Sequence, residues 1–226
     1  MSSTADPDSS LSTVPQSGPG DADNLVIIAR QAILDEQRAV YGYELFDRNT
    51  AADSHTAASD ASLLFNALSY AGSEALIGKT IVFVNCTHES LAGGHLELIH
   101  PDKVVLEVPT LAAGATPEQI EQMLPTLQSL RTRGFRLAFS QDVLRRAYMG
   151  WLPLASFIKL DMQAFKPELA EPLVKFARAN SQATLIAEKV ETAEQHERMA
   201  ALGVKLFQGY WFARPALVKA QTIRPS

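Results

Sequence analysis

The 226-residue sequence lacks several features that would assign it to a particular class of protein. It has one cysteine, Cys86, so it can form neither an internal disulfide nor a cysteine-based metal site, and this suits a reducing, cytoplasmic setting. No apolar run approaches the roughly 20 residues of a membrane-spanning helix. The formal charge of −5 excludes the basic surface typical of proteins that bind nucleic acid polymers. We therefore expect a cytoplasmic protein with no membrane span.

Composition divides the chain into a short leader and one long domain. Residues 1–24 are rich in Ser, Asp, Pro and Gly and contain almost no large apolar side chain, which predicts a disordered leader. Residues 25–226 are predicted to form a single barrel domain. The chain as a whole is 46% hydrophobic, enough for one large core.

Strand-like and helix-like segments alternate along the predicted domain. Strand-like runs at 25–30 and 39–46 are followed by others at 80–85, 103–108, 135–139, 157–160, 183–187 and 204–207. Helices are predicted at 60–71, after Thr116, after Pro167 and after Thr192. In the helix after Pro167, the residues predicted to face inward are Leu169, Leu173, Val174 and Phe176. Residues 141–155 predict a loop or broken helix. This alternation, with about eight strands, favours an α/β fold of the closed TIM-type (β/α)8 class.

Polar side chains recur where the predicted strands end. In a barrel of this class the carboxyl ends of the strands meet at one rim, and carboxylates gathered there suit a hard divalent cation such as Mg²⁺. Barrel rims are also generally polar, so any one of these residues on its own is equally consistent with a solvated strand end. The strand-end residues are Glu44, Asn85, Glu107, Ser140, Gln141, Lys159, Asp161, Glu188, Glu191 and Gln208.

Six segments carry a family resemblance: YGYELFDR, FVN, VVLEV, IKLD, IAEKVET and QGYWFARP. In this order they resemble the EAL domain, a bacterial phosphodiesterase fold that cleaves cyclic di-GMP. AEKVET is similar to the family's AEGVET, and QGYWF followed by Pro215 is similar to its QGY-x-F-x-x-P. The resemblance implies a modified (β/α)8 barrel whose first strand is antiparallel. It is strongest to the branch in which an HDOD domain follows, and the chain stops about where that domain would begin.

The resemblance also implies a role for individual residues. Lys159 corresponds to the catalytic lysine and Glu44 to the glutamate of the EAL motif. Gln31, Arg48 and Gln208 correspond to nucleotide-binding positions. The implied metal ligands are Glu44, Asn85, Glu107, Asp161 and Glu188.

Two departures from the family pattern bear on activity. Ser140 and Gln141 stand where the family has consecutive aspartates, and Lys189 replaces the glycine of AEGVET. The resemblance implies a two-metal mechanism, and neutral side chains cannot balance a second divalent charge. We expect Lys189 either to pair with Glu191 or to fill the vacated metal position.

The prediction is therefore a catalytically degenerate signalling module that acts through contacts with another protein or with a second copy of itself. It requires no cofactor and binds Mg²⁺ or Mn²⁺ weakly at most. Binding of cyclic di-GMP is left open, with Arg145, Tyr148 and Trp151 either facing the pocket or packing on the barrel. The alternative is an active cyclic di-GMP-specific phosphodiesterase with an altered metal site.

Overall fold

The computed structural model describes residues 26–47, 80–92 and 94–220. The predicted leader, the predicted helix at 60–71 and Arg48 lie outside these residues. Within them, no helix combines the length and apolarity needed to cross a membrane.

The described strands form a closed barrel. Neighbours follow the order β2-β3-β4-β5-β6-β7-β8-β1, and β1 also pairs with β2, which closes the ring. β1 runs antiparallel to β2, whereas the pairings from β2 to β8 are parallel. The predicted barrel and its antiparallel first strand are confirmed. The strands are β1 (Val26–Leu34), β2 (Val40–Asp47), β3 (Ile81–Asn85), β4 (Val104–Val108), β5 (Arg136–Ser140), β6 (Ala155–Asp161), β7 (Thr184–Glu188) and β8 (Leu206–Phe207).

A further strand, β9 (Ala216–Ala220), lies beyond the QGYWFARP segment and was not predicted. It runs antiparallel to β1 and pairs with residues Val26 to Arg30. β8 is only two residues long and meets β1 at a single pair, Leu34 with Phe207. β9 therefore supplies backbone partners for the part of β1 that β8 does not reach.

Two of the described helices, those that follow Thr116 and Thr192, begin where the capping signals predicted. The described helices are α1 (His88–Ala92), α2 (Pro117–Gln122), α3 (Leu124–Thr132), α4 (Ala170–Asn180) and α5 (Ala193–Ala201). Thr116 and Thr192 each complete a capping box, the first with Gln119 and the second with Gln195. The single helix predicted after Thr116 is divided at Met123 into α2 and α3, because Pro125 cannot donate the backbone hydrogen bond that would continue α2.

The predicted inner face of α4 is confirmed for Val174, which is buried, and for Leu173, which packs partly buried against the core, but it is wrong for the other two residues. Leu169 and Phe176 are 49% and 41% exposed, whereas Ala170, Val174 and Ala177 are buried. These three residues have the i, i+4, i+7 spacing of one helix face, so periodicity alone allowed either stripe to be the inner one. The two small alanines let the helix pack closely on the barrel, and the larger side chains remain outside.

The barrel interior has an apolar layer below a polar one. Because alternate residues of a strand share a face, each apolar interior residue has a second interior position two residues further towards the rim. The apolar layer consists of Ile33, Phe83, Val105, Ala138, Phe157, Ile186 and Leu206. The polar layer two residues away consists of Gln31, Asn85, Glu107, Ser140, Lys159, Glu188 and Gln208, together with Glu44 of β2, which is in register with Gln31.

Candidate functional site

The polar layer forms the floor of an open cavity of about 1100 Å³. Most of the strand-end residues singled out in the sequence line it, which confirms that they converge. Asp161 and Gln141 do not line the cavity but lie beside it, as their contacts below show. The predicted site residues that line it are Gln31, Glu44, Asn85, Glu107, Ser140, Lys159, Glu188, Glu191 and Gln208.

Lys159 lies at the centre of this floor. Its ammonium Nζ is 3.0 Å from Glu44 Oε2, 2.9 Å from Glu107 Oε2 and 3.0 Å from Glu188 Oε2. It also donates to the second oxygen of Glu107, Oε1, at 3.1 Å. One cation is thus shared among three carboxylates that come from β2, β4 and β7.

Two side-chain amides donate to the carboxylate of Glu44, and a third, that of Gln31, extends the hydrogen-bond network. Asn85 Nδ2 donates to Oε1 at 3.1 Å, and Gln208 Nε2 donates to Oε2 at 2.6 Å. Gln208 also donates to Gln31 Oε1 at 3.3 Å, and Gln31 Nε2 donates to the carbonyl of Ala213 at 3.0 Å. Since Glu44, Gln31 and Gln208 are buried, these bonds offset much of the cost of keeping polar groups there.

The charges of this cluster shift one another's titration. Burial alone would raise the pKa of Glu44, but Lys159 and the hydrogen bonds to its carboxylate hold it below its ordinary value. Burial and the nearby charge of Glu44 raise the pKa of Glu107 to about 8, despite the attraction of Lys159. Burial alone would lower the pKa of Lys159, but the carboxylates raise it well above its ordinary value. The ammonium therefore stays charged, and Glu107 is the member that holds a proton near neutral pH.

A second group of polar contacts lies at the rim beside Lys159. Lys189 Nζ is 2.6 Å from Asp161 Oδ2, so Lys189 pairs with Asp161 and the predicted partner, Glu191, is wrong. Glu191 Oε1 instead accepts a hydrogen bond from Gln163 Nε2 at 2.7 Å. Gln163, which sequence reasoning missed, lies in the turn after β6, and no signal in the sequence marks it.

The two positions where the family pattern has aspartates carry no charge here. Ser140 lines the cavity with a hydroxyl. Gln141 Oε1 accepts a hydrogen bond from the backbone N–H of Asp161 at 2.7 Å, so its carbonyl is already used within the protein.

These donors do not fit a pair of divalent cations. Glu44, Asn85 and Glu107 would surround one cation only after Lys159 had withdrawn from the carboxylates it contacts. A second cation would require anionic oxygens, because Mg²⁺ and similar ions bind carboxylates most readily. Ser140 and Gln141, which stand where the family pattern has aspartates, offer only a hydroxyl and an amide, and Asp161 is paired with Lys189.

Residues 141–155 form three short 3-10 helices rather than a pocket wall, as the predicted broken helix allowed. Trp151 and Tyr148 are buried, and they donate to the carbonyls of Ile120 and Leu111 respectively. Arg145 pairs with Asp142 on the surface. None of these three side chains lines the cavity, so the interpretation that they face the pocket is wrong. Tyr148 and Trp151 pack against the barrel, whereas Arg145 lies on the surface.

Aromatic side chains at the cavity mouth were not singled out from the sequence. Tyr210 is 56% exposed, and the guanidinium of Arg214 lies 5.3 Å from its ring centroid. Phe46 follows Glu44 by two residues and lines the same cavity. Both aromatic residues belong to the segments that carry the family resemblance, so the signal was present at the level of the motif.

Comparison with known proteins places these features in a family. The family model described as the EAL domain matches residues 83–215. The cyclic di-GMP phosphodiesterase CdgJ of Vibrio cholerae is 29% identical over 206 residues, which are 88% of this chain and 46% of CdgJ. The chain spans about half the length of the curated relatives it matches.

Solved structures share the fold. BlrP1 of Klebsiella pneumoniae, in a complex with manganese and cyclic diGMP, matches with a TM-score of 0.65 and 23% identity over 92% of this chain and 59% of that one. BlrP1 with FMN and cyclic diGMP and no metal ions matches with a TM-score of 0.62 and 24% identity over 90% and 56%. These relatives hold the dinucleotide both with a metal and without one.

Proposed function

This chain belongs to the EAL domain family, and from that premise we propose that it is a non-hydrolytic EAL domain that acts in signalling through protein contacts. The family relationship links it to cyclic di-GMP phosphodiesterases such as CdgJ. The proposal is that this member has lost the cleavage reaction while keeping the barrel and its cavity.

Ser140 and Gln141, at the positions of the family's consecutive aspartates, carry the proposal. Two-metal phosphodiester hydrolysis needs carboxylates that hold two cations about 3.5–4 Å apart, so that the attacking and leaving oxygens are both stabilised. Here the three carboxylates on the cavity floor share one ammonium at 2.9–3.0 Å. Ser140 and Gln141 offer no anionic oxygen for a second cation. The protein's own lysine therefore compensates part of the negative charge of the floor.

A hydrolysis assay tests the proposal. The protein is incubated with cyclic di-GMP and Mg²⁺ or Mn²⁺, and the linear dinucleotide is measured by chromatography. We expect no product. Ser140→Asp combined with Gln141→Asp is the matched variant, because it restores the missing carboxylates at the same positions. Product formation by the unaltered protein that is abolished by Glu44→Ala would refute the proposal.

Binding of the dinucleotide is separate from its turnover. The structure of BlrP1 with cyclic diGMP and no metal ions supports metal-free occupancy of a cavity of this kind. Calorimetry with cyclic di-GMP, with and without EDTA, measures this directly in the present chain. Binding without turnover would assign a sensor, and the lack of both would assign a docking module only.

The proposed output is a contact with another protein or with a second copy of the chain. The exposed Leu169 and Phe176 support it, because they lie seven residues apart on one face of the Pro167–Asn180 segment. Light scattering on the unaltered protein and on Leu169→Ser combined with Phe176→Ser separates the two partners. A dimer that the variant loses identifies a second copy, and a monomer in both cases identifies a different protein.

An active phosphodiesterase with an altered metal site is the second candidate. The identity of 29% with CdgJ favours it, since that relative is named for the activity. The donor chemistry of the cavity floor favours the first candidate, and the hydrolysis assay decides between them.

A further inference from the structure

We propose that Lys189 is a positioning residue: its ammonium holds the carboxylate of Asp161, so that the rim of the cavity does not bind a divalent ion. The inference rests on the proposed function and deepens it, because it names a residue that keeps the site independent of metal. Lys189 stands where the family pattern has glycine, so this is a property of the chain's own sequence.

Both oxygens of Asp161 are engaged within the protein. Oδ2 is 2.6 Å from the Lys189 ammonium, and Oδ1 accepts the backbone N–H of Gln163 at 2.8 Å. The Asp161 carboxylate is largely shielded, with 18% of its side chain exposed, whereas Lys189 is 54% exposed. The ammonium therefore covers the carboxylate from the solvent side, the side from which a cation would approach.

The neighbouring carboxylates at the rim are engaged as well. Glu188 contacts Lys159 at 3.0 Å, and Glu191 accepts from Gln163 at 2.7 Å. A divalent ion would have to displace Lys189 before it gained Asp161 as a ligand. The side chain of Lys189 is half exposed, so a single substitution removes its contact without disturbing the buried floor.

The backbone at Lys189 supports a specific role for its side chain. Its φ is +55°, in the left-handed region that side chains other than glycine seldom occupy. Glycine would adopt this conformation without strain. A lysine at this position has a conformational penalty that a glycine would not have, and the ion pair with Asp161 offsets it. The strain also makes Lys189→Gly a variant that is expected to fold.

Manganese titration by calorimetry, without nucleotide, tests the inference. We expect Lys189→Gly to bind Mn²⁺ more tightly than the unaltered protein by about 10–100-fold, a change as large as the loss of affinity that follows when a supporting partner of a metal ligand is mutated. Lys189→Arg keeps the positive charge and should bind as weakly as the unaltered protein. Lys175→Met is the matched control, because Lys175 makes an ion pair of the same 2.6 Å length with Glu171 away from the cavity.

The outcomes separate this inference from the proposed function. Equal Mn²⁺ affinity in Lys189→Gly and the unaltered protein, with Lys189→Gly shown to be folded by circular dichroism, would overturn the role of Lys189 and leave the hydrolysis result untouched. Turnover by the unaltered protein would instead overturn the proposed function, whatever the calorimetry gave. An equal gain in Lys189→Arg would also overturn the inference, because the charge would then not be the cause.

Discussion

Replacing Lys159 by methionine is the sharpest test of how the cavity floor is held together. Methionine keeps the length of the side chain but removes the ammonium that contacts Glu44, Glu107 and Glu188 at 2.9–3.0 Å. The side chains of these glutamates are only 7%, 10% and 19% exposed, and that of Lys159 is 7% exposed. The substitution therefore leaves buried carboxylates without a counter-ion.

The magnitude follows from that burial. Removing one partner of a buried ion pair typically costs about 3–5 kcal/mol, because the remaining charge is left uncompensated. Protonation of the carboxylates limits the loss, and each unit by which a carboxyl pKa rises corresponds to about 1.4 kcal/mol. Raised pKa values favour the folded state at low pH and weaken it as pH increases. We therefore expect Lys159→Met to lose more stability at pH 8 than at pH 6.

Urea unfolding in EDTA, followed by circular dichroism, measures the free energy of unfolding at both pH values. Lys175→Met is the control, since its ion pair with Glu171 is exposed and its loss should leave stability nearly unchanged. Glu107→Gln added to Lys159→Met removes one of the buried carboxyls and should recover part of the loss. The reasoning is refuted if Lys159→Met unfolds at the same urea concentration as Lys175→Met.

Three further changes probe the same site. In the unaltered protein the pKa of Glu107 is raised to about 8, so its contribution to stability is full below about pH 4.5 and is lost as the pH rises towards 8. Glu107→Gln should therefore flatten the fall in the free energy of unfolding over that range. Gln208→Leu removes the 2.6 Å hydrogen bond to the Glu44 carboxylate and should cost about 1.5–3 kcal/mol in urea unfolding, whereas no loss would show that Asn85 and Lys159 suffice. Gly209→Ala would place a Cβ against the backbone N and O of Val190, so we expect a large fall in melting temperature, and a normal melting curve would contradict the close approach.

Much of the architecture could be predicted because it depends on local sequence. Thr116 and Thr192 signal their helix starts within four residues, and both capping boxes form. The polar residues at successive strand ends converge because parallel strands place their carboxyl ends at one rim. The family segments added the antiparallel first strand, which periodicity did not give.

The inner face of α4 and the strand β9 were beyond such reasoning. Ala170, Val174 and Ala177 share a face as regularly as the larger side chains do, and only the space beside the barrel decides which face packs inward. β9 depends on the shortness of β8, which leaves part of β1 without a partner. Neither fact is contained in the segment concerned.

What the sequence determined by itself was the set of charges that meet in the barrel: the glutamates, the single floor lysine, and the serine and glutamine in place of aspartates. What the tertiary structure decided was the pairing. Lys159 is 115 residues from Glu44 and 52 from Glu107, and Lys189 is 28 from Asp161. Ion pairs form between groups that the fold brings within about 3 Å, and spacing along the chain does not set which carboxylate an ammonium reaches. The fold therefore places Lys159 against the carboxylates of the cavity floor and Lys189 against Asp161 at the rim.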